Sequence, residues 1–151
     1  MKRLASMFAV VVLMTMAGCA TKSTVTPAPE KPLTAFGCPV GGKSVGSMED
    51  LLASKVQTAG DVKDVKVSQM QCIMQGDLLR IDATLANTGT TVRRVAYRFE
   101  WVDRNGMKAW NDEVWKPVYL YEKSRETIVA TAPASGAVDF KLTLLDADKE
   151  R

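Results

Sequence analysis

The fold is decided by the stretch Val95-Ala96-Tyr97-Arg98-Phe99-Glu100-Trp101-Val102-Asp103-Arg104-Asn105-Gly106. Side chains of an extended chain alternate between two faces, so its odd-numbered residues up to Trp101 share one face. That face is apolar, and the opposite face carries Ala96, Arg98 and Glu100. Asn105 and Gly106 tolerate positive φ at the two central positions of a tight hairpin turn. The stretch therefore predicts the central strand of a small β-sandwich, followed by a reversal of the chain in which residues 107–110 pair back.

Further strands are predicted on both sides of this stretch. They cover Val62–Met74, Leu79–Ala86, Val114–Tyr121, Glu126–Ala130 and Val138–Leu144. The inward parity of the first shifts near Ser68 or Gln69, which indicates a β-bulge. Pro117 cannot donate a ladder hydrogen bond, so its strand belongs at an edge or begins after the proline. About seven short strands with frequent turn signals are typical of an immunoglobulin-like antiparallel β-sandwich.

One short helix is predicted before the strands. Ser47 can cap the first free amides, and Met48, Leu51, Leu52 and Val56 follow at helical spacing. The helix is expected from Met48 to Gln57, with Gly60 ending it. Its apolar side is expected to cover one face or end of the sheet; a partner-binding helix is the alternative.

The N-terminus has the pattern of an export signal. Lys2 and Arg3 precede a run of apolar residues and then Ala17-Gly18-Cys19. The run is about a dozen residues, shorter than the roughly 20 that span a bilayer as a helix. Residues 1–18 are therefore predicted to be a signal peptide, residues 19–32 a proline- and threonine-rich tether, and residues 33–151 a single domain.

Met16-Ala17-Gly18-Cys19 resembles a bacterial lipobox. The resemblance implies that Cys19 becomes the lipidated first residue and binds the protein to a membrane, since two acyl chains already give stable anchoring. Ala20, in place of aspartate, points to the outer membrane and its periplasmic face.

Cys38 and Cys72 are the two cysteines that remain. In an oxidising compartment a disulfide is the default expectation. A metal pair would need further soft ligands, and a redox pair is more often closely spaced. The disulfide is the preferred prediction, with the other two readings open.

The composition argues against several functions. Without the signal, 18 basic residues face 17 acidic ones, because Lys2 and Arg3 leave the total of 20, so nucleic-acid binding has no support. The chain has no histidine, which excludes imidazole bases and histidine metal ligands. Residues 37–44 match a phosphate-loop pattern but lack the preceding strand that it requires. No enzymatic activity, cofactor or metal is expected.

Aromatic residues cluster after the central strand. Trp110, Trp115, Tyr119 and Tyr121 lie in one short span and form the candidate interaction surface. The alternative is that Trp115, Val118 and Leu120 complete the core. An exposed tyrosine beside an open edge would also allow a partner peptide to add as a strand.

Several motifs carry a resemblance to a known family. They are Tyr97-Arg98-Phe99 with Trp101, Asp103 and Gly106, then Asn87, Trp115, Ala132-Pro133 and Phe140-Lys141-Leu142. Over residues 62–145, and at the lipobox, the chain resembles the YcfL-like family of small bacterial lipoproteins. The resemblance implies an immunoglobulin-like β-sandwich on a periplasmic lipid anchor with no established enzymatic activity, and a contextual link to cell-wall synthesis. Residues 33–60 and the Cys38/Cys72 pair depart from the shorter members.

These observations together predict a non-enzymatic accessory module that interacts with an envelope protein from the outer membrane. The alternative is a periplasmic module that binds a glycan or small ligand, with peptidoglycan as a possible contact.

Overall fold

The computed structural model describes residues 37–39, 46–111 and 113–148. The predicted signal peptide, Cys19 and the tether lie outside the described residues. In chain order the elements are α1 (Met48–Lys55), β1 (Val56–Ala59), β2 (Val65–Gln75), β3 (Leu78–Asn87), β4 (Arg93–Val102), β5 (Lys116–Leu120), β6 (Arg125–Thr131) and β7 (Asp139–Asp146).

The strands form two sheets that pack as a β-sandwich. One sheet has the order β1-β7-β4-β5, and the other has the order β2-β3-β6. All pairings are antiparallel except that of β1 with β7. The predicted mainly β fold with one short helix is confirmed, and β4 lies inside its sheet with a neighbour on each side.

A single apolar core lies between the sheets. Phe140, Leu142 and Leu144 of β7 face Ile81, Leu85 and Met70 of the second sheet, and all are almost fully buried. The predicted inward face of β4 is confirmed at Val95, Phe99 and Trp101, which are at most 7% exposed. Tyr97 has the same parity but is only partly buried. The prediction that Tyr97 helps to specify the core holds in part, because its ring packs against the core but also lines an open cleft beside β6.

The helix is shorter than predicted. It ends at Lys55, and Val56 is already extended, with φ −100° and ψ 131°. The chain then continues directly into β1, whose Val56 lies opposite Leu142 of β7. Pairing with β7 supplies hydrogen bonds that the last turn of a longer helix would have supplied, so Gly60 ends a strand and not the helix.

A buried ion pair fixes the end of the helix on the sheet. Lys55 Nζ lies 2.6 Å from Asp139 Oδ1, and their side chains are only 6% and 13% exposed. The ammonium also lies 5.5 Å from the centroid of the Phe140 ring. The charged end of α1 is therefore held at the first residue of β7.

The predicted bulge in β2 is confirmed. Val67 lies opposite Leu85, but Gln69 lies opposite Thr84, so one extra residue enters β2 between them. Met70 and Cys72 consequently face inward after the shift, as their burial shows. The bulge keeps both halves of this long strand in register with the core.

The turn after β4 is centred one residue earlier than predicted. The N–H of Gly106 donates to Asp103 O at 3.1 Å, which makes Arg104 and Asn105 the central residues. Of residues 103–106, only Gly106 has positive φ, at 79°. The Asp103 carboxylate accepts from the N–H groups of Asn105 and Met107, both at 2.8 Å, and this stabilises the earlier turn. The pairing back is limited to a bridge between Val102 and Lys108.

The predicted disulfide is present between Cys38 and Cys72. It fastens residues 37–39 to β2, where a Cβ on Gly37 would lie 2.2 Å from Cys72 O. Only glycine permits so close an approach of the two backbones, and the positive φ of Gly37, 71°, favours it as well. Residues 37–39 form a strap held covalently against β2.

An arginine-aromatic face on the edge strand

Two arginines of β4 lie against two aromatic rings of the neighbouring edge segment. Arg94 is opposite Tyr119 in the β4-β5 ladder, and its Cζ lies 5.8 Å from the ring centroid. Arg98 Cζ lies 4.7 Å from the centroid of the Trp115 ring. Both distances allow a cation-π attraction. Arg94, Arg98, Trp115 and Tyr119 are called the arginine-aromatic face from here on.

This face lies on the outer side of its sheet. Leu120 is fully buried and Val118 packs against the core, so the alternate residues of β5 point away from it. Tyr119 is 57% exposed. Core completion is thus confirmed for Leu120, whereas Trp115 is half-buried and packs beneath Arg98.

Neither guanidinium of the face forms an ion pair with a described acid, although Asp148 Oδ2 accepts from the backbone N–H of Arg94 at 3.2 Å. Among the described residues no carboxylate oxygen lies within 4 Å of the Arg94 or Arg98 guanidinium. Arg94 Nε and Arg98 Nε are buried and have no hydrogen-bond partner in this part of the chain. The rings therefore orient two planar cations whose charge is left to interact with an approaching anionic group.

The four aromatic residues predicted as one surface are divided by the structure. Trp115 and Tyr119 belong to the arginine-aromatic face, and Tyr121 follows directly after β5 with 67% of its surface exposed. Trp110 lies elsewhere, beside a cleft between β4 and β6. Sequence assigned Arg98 only to the polar face of its strand and did not single out Arg94. Their spacing of four, on one face of a strand, was the signal that could have found them.

The free edge of β5 is interrupted by Pro117. The carbonyls of Arg94 and Val102 accept from β7 or the residues flanking it, so the even-numbered residues of β4 direct their backbone groups toward β7. Ala96 is also an even-numbered residue of β4, so its backbone groups point toward β7 and not toward Pro117, which lies opposite it on β5. The nitrogen of Pro117 consequently faces the free edge, where it has no hydrogen to donate. Addition of a partner strand at β5 is therefore disfavoured, and the outer face is the better contact surface.

A cleft of about 240 Å³ opens on the inner side of β4. Tyr97, Phe99 and Trp101 line it from β4, and burial raises the pKa of the Tyr97 hydroxyl above its usual value. Tyr97 is therefore a neutral phenol near pH 7. The Phe99 and Trp101 rings are stacked, with centroids 5.9 Å apart.

One carboxylate lies at the wall of the cleft. The Glu113 side chain is 3% exposed, and its Oε1 accepts from the Trp101 N–H at 3.3 Å. Its Oε2 lies 2.8 Å from Lys108 Nζ, an ion pair without the directional geometry of a hydrogen bond. Glu113 thus replaces the ladder partner that β5, which begins only at Lys116, does not provide for Trp101.

Two further features are absent from the described ranges. No group of three or more Asp, Glu, Cys or His residues there could hold a metal ion. No helix in the same ranges is long and apolar enough to cross a bilayer.

Residues 53–146 match the protein family described as a protein of unknown function, DUF1425. The match covers more than half of the chain and includes all the strands but no residue before Ala53, so the chain belongs to this family. No curated protein matches the chain significantly.

Two crystal structures are similar to this one. That of Campylobacter jejuni cj0090 has a TM-score of 0.53 and 20% identity, over 61% of this chain and 97% of its own. That of a DUF1425 family member from Shewanella sp. PV-4 has a TM-score of 0.50 and 27% identity, over 53% of this chain and 75% of its own. The first supports the fold alone, and the second agrees with the family membership.

Proposed function

We propose that this protein is a lipid-anchored, non-enzymatic interaction module on the periplasmic face of the outer membrane, where it acts as an accessory to an envelope protein. The anchor is Cys19, and support for it comes from the apolar segment and lipobox at residues 7–19. The resemblance to YcfL-like lipoproteins, which is compatible with DUF1425 membership, supports the same location and a link to cell-wall synthesis.

The observation that carries the interaction role is the arginine-aromatic face. It combines exposed aromatic area with two cations that have no carboxylate within 4 Å among the described residues. Aromatic and arginine side chains are enriched where protein interfaces have most of their binding energy. A complementary partner would present carboxylates to Arg94 and Arg98.

The same face supports the alternative, a glycan-binding module. Trp115 and Tyr119 expose ring surface on which a sugar could stack. A peptidoglycan strand also carries carboxylates, so both occupants share the chemistry of an anionic group beside an apolar ring.

Site-directed photocrosslinking in whole cells tests the interaction role. A photoreactive residue replaces Tyr119 in the full-length protein, and a matched control carries it at Lys66, an exposed position of β2. The proposal expects one crosslinked envelope protein from position 119, lost in Arg94→Ala/Arg98→Ala. Equal yields from both positions would contradict it.

The anchor and the alternative need separate measurements. Palmitate labelling should disappear in Cys19→Ala, and persistent labelling would refute the lipid anchor. Retention of the purified protein on isolated peptidoglycan, lost on Trp115→Ala, would favour the glycan-binding alternative.

A further inference from the structure

The edge strand β6 presents its free backbone groups without interruption. The N–H of Ala132 donates to Leu79 O at 2.8 Å, and Ser124 O accepts from the Asn87 N–H at 3.0 Å. Even-numbered residues on this side of the ladder therefore bond to β3. The backbone groups of Arg125, Thr127, Val129 and Thr131 consequently point to the open edge, and none of these residues is a proline.

The other long edges are blocked. Pro117 removes a donor from the free edge of β5. The strap of residues 37–39 is bonded to β2 through Cys72, which occupies part of that edge. Natural sheets block their edges in such ways to prevent pairing with other chains. The absence of such a device on β6, within the described residues, distinguishes it from β2 and β5.

The cleft opens directly beside this edge. Val129, Ala130 and Thr131 of β6 form one wall, and Tyr97 of β4 faces them. Alternate side chains of a strand added to β6 would point between the sheets, toward the cleft. The aromatic lining and the volume of about 240 Å³ suit one large apolar side chain.

The charges around the cleft favour an acidic neighbour. Lys116, which lies opposite Tyr97 in the β4-β5 ladder, belongs to its lining. Glu113, the one carboxylate among the described lining residues, already contacts Lys108 and the Trp101 N–H. Lys116 forms no ion pair among the described residues, so its charge is available to a carboxylate close to the inserted side chain.

We propose that β6 binds an extended segment of a partner protein as an added strand, with a large apolar side chain in the cleft and an acidic residue beside Lys116. Main-chain hydrogen bonds supply affinity in this mode, and the pocket supplies specificity. The inference deepens the proposed function, on which it rests for the protein nature of the partner.

Two other occupants fit less well. The tether at residues 20–32 contains Pro27, Pro29 and Pro32, and Val25 is its largest aliphatic residue. It lacks the side chain that the cleft suits and several of the donors that a strand needs. A second copy paired through β6 would offer Ile128 as its large inward side chain, and Ile128 is already buried in the core of its own copy.

The test is photocrosslinking of the full-length protein in cells from Thr127, an exposed residue of β6. The crosslinked peptide is identified by mass spectrometry. Val129→Pro removes an outward N–H without removing a bond to β3, as Pro117 does naturally in β5. The matched control, Val129→Thr, keeps that N–H and the branched Cβ.

The proposal expects one partner segment with a large apolar and an acidic residue. The crosslink should fall by about tenfold in Val129→Pro, which removes a main-chain bond and adds a clash, and persist in Val129→Thr. A crosslink unchanged in Val129→Pro, a crosslink to a second copy, or one to glycan would overturn it. Protease resistance of both variants shows that they fold.

The outcome also separates this inference from the proposed function. A crosslink from position 119 with none from position 127 would overturn strand addition and leave the interaction module intact. No protein crosslink from either position would overturn both.

Discussion

The side-chain amide nitrogen of Asn87 donates to the carbonyls of Leu120 and Tyr121, at 3.1 and 2.9 Å. It also lies 2.8 Å from Thr91 O, and its Oδ1 accepts from the Gly89 N–H at 2.9 Å. Asn87 is 2% exposed. One buried side chain therefore joins the end of β3 in one sheet to the end of β5 in the other.

Asn87→Ala is expected to destabilise the fold by about 2 to 3 kcal/mol, because buried carbonyls lose their donor. Asn87→Asp should cost more, since it places a carboxylate against those carbonyls. Urea unfolding followed by tryptophan fluorescence measures both, with the exposed Thr90→Ala as control. If Asn87→Ala lowered the free energy of unfolding by less than Thr90→Ala does, Asn87 would not join the sheets.

The ion pair of Lys55 and Asp139 gives a second expectation. Lys55→Met should cost about 3 kcal/mol, because it removes a close cation from a largely buried carboxylate. The double variant Lys55→Met/Asp139→Leu should recover much of that loss, since it removes both desolvated charges. A double-mutant cycle by urea unfolding measures the coupling. Strictly additive losses would mean that the two side chains do not act as a pair.

The turn after β4 gives a third expectation. Positive φ was predicted for both Asn105 and Gly106, but only Gly106 has it. Gly106→Ala should cost about 1 kcal/mol from backbone strain alone, because nothing lies within 4 Å of the added Cβ. Asn105→Gly should not stabilise the protein, since Asn105 does not need positive φ. Thermal unfolding of the two variants compares them directly. Stabilisation by Asn105→Gly would favour the turn centred on Asn105 and Gly106.

The proline at the free edge of β5 gives a fourth expectation. Pro117→Ala restores an outward N–H and should increase self-association at high concentration, because a free strand edge templates pairing. The monomer should lose only about 0.5 to 1 kcal/mol, through the greater freedom of its unfolded chain. Size-exclusion chromatography over a concentration series measures the association. The control is Lys116→Ala, at the neighbouring position of the same strand, which should leave the self-association of the protein unchanged.

The strands were predictable because their core residues repeat with period two. Leu79, Ile81 and Leu85 of β3, and Phe140 and Leu142 of β7, were placed correctly on that basis. Even the bulge of β2 was visible as a parity shift. These features are local, and local spacing determines which face of a strand is apolar.

The features that were missed depend on neighbours distant in the sequence. Val56–Ala59 has no alternation of its own and becomes a strand through pairing with β7. Tyr97 shares the parity of Phe99, yet remains partly exposed because it lines the cleft between β4 and β6. The spacing of residues indicates which face of a strand is apolar, but it does not show where two sheets fail to meet. The cleft could therefore not be predicted from the sequence.

The arginine-aromatic face was also predictable only in its local features. Tyr119 and Trp115 were identified as aromatic residues near an edge, and Pro117 placed that edge correctly. Their association with Arg94 and Arg98 follows from the β4-β5 register, which no single strand encodes. Trp110 was grouped with them by proximity in sequence, but the loop before β5 carries it to the other side of the sheet.

The disulfide between Cys38 and Cys72 also determines how the domain responds to tension. A pull on the chain ahead of Cys38 passes through the sulfur bridge into the middle of β2, an 11-residue strand paired along its length with β3. Residues 39–71, with α1 and β1 among them, are bypassed by that force. A domain pulled from this end would therefore resist as a sheet under shear, while its helix and shortest strand remain unloaded.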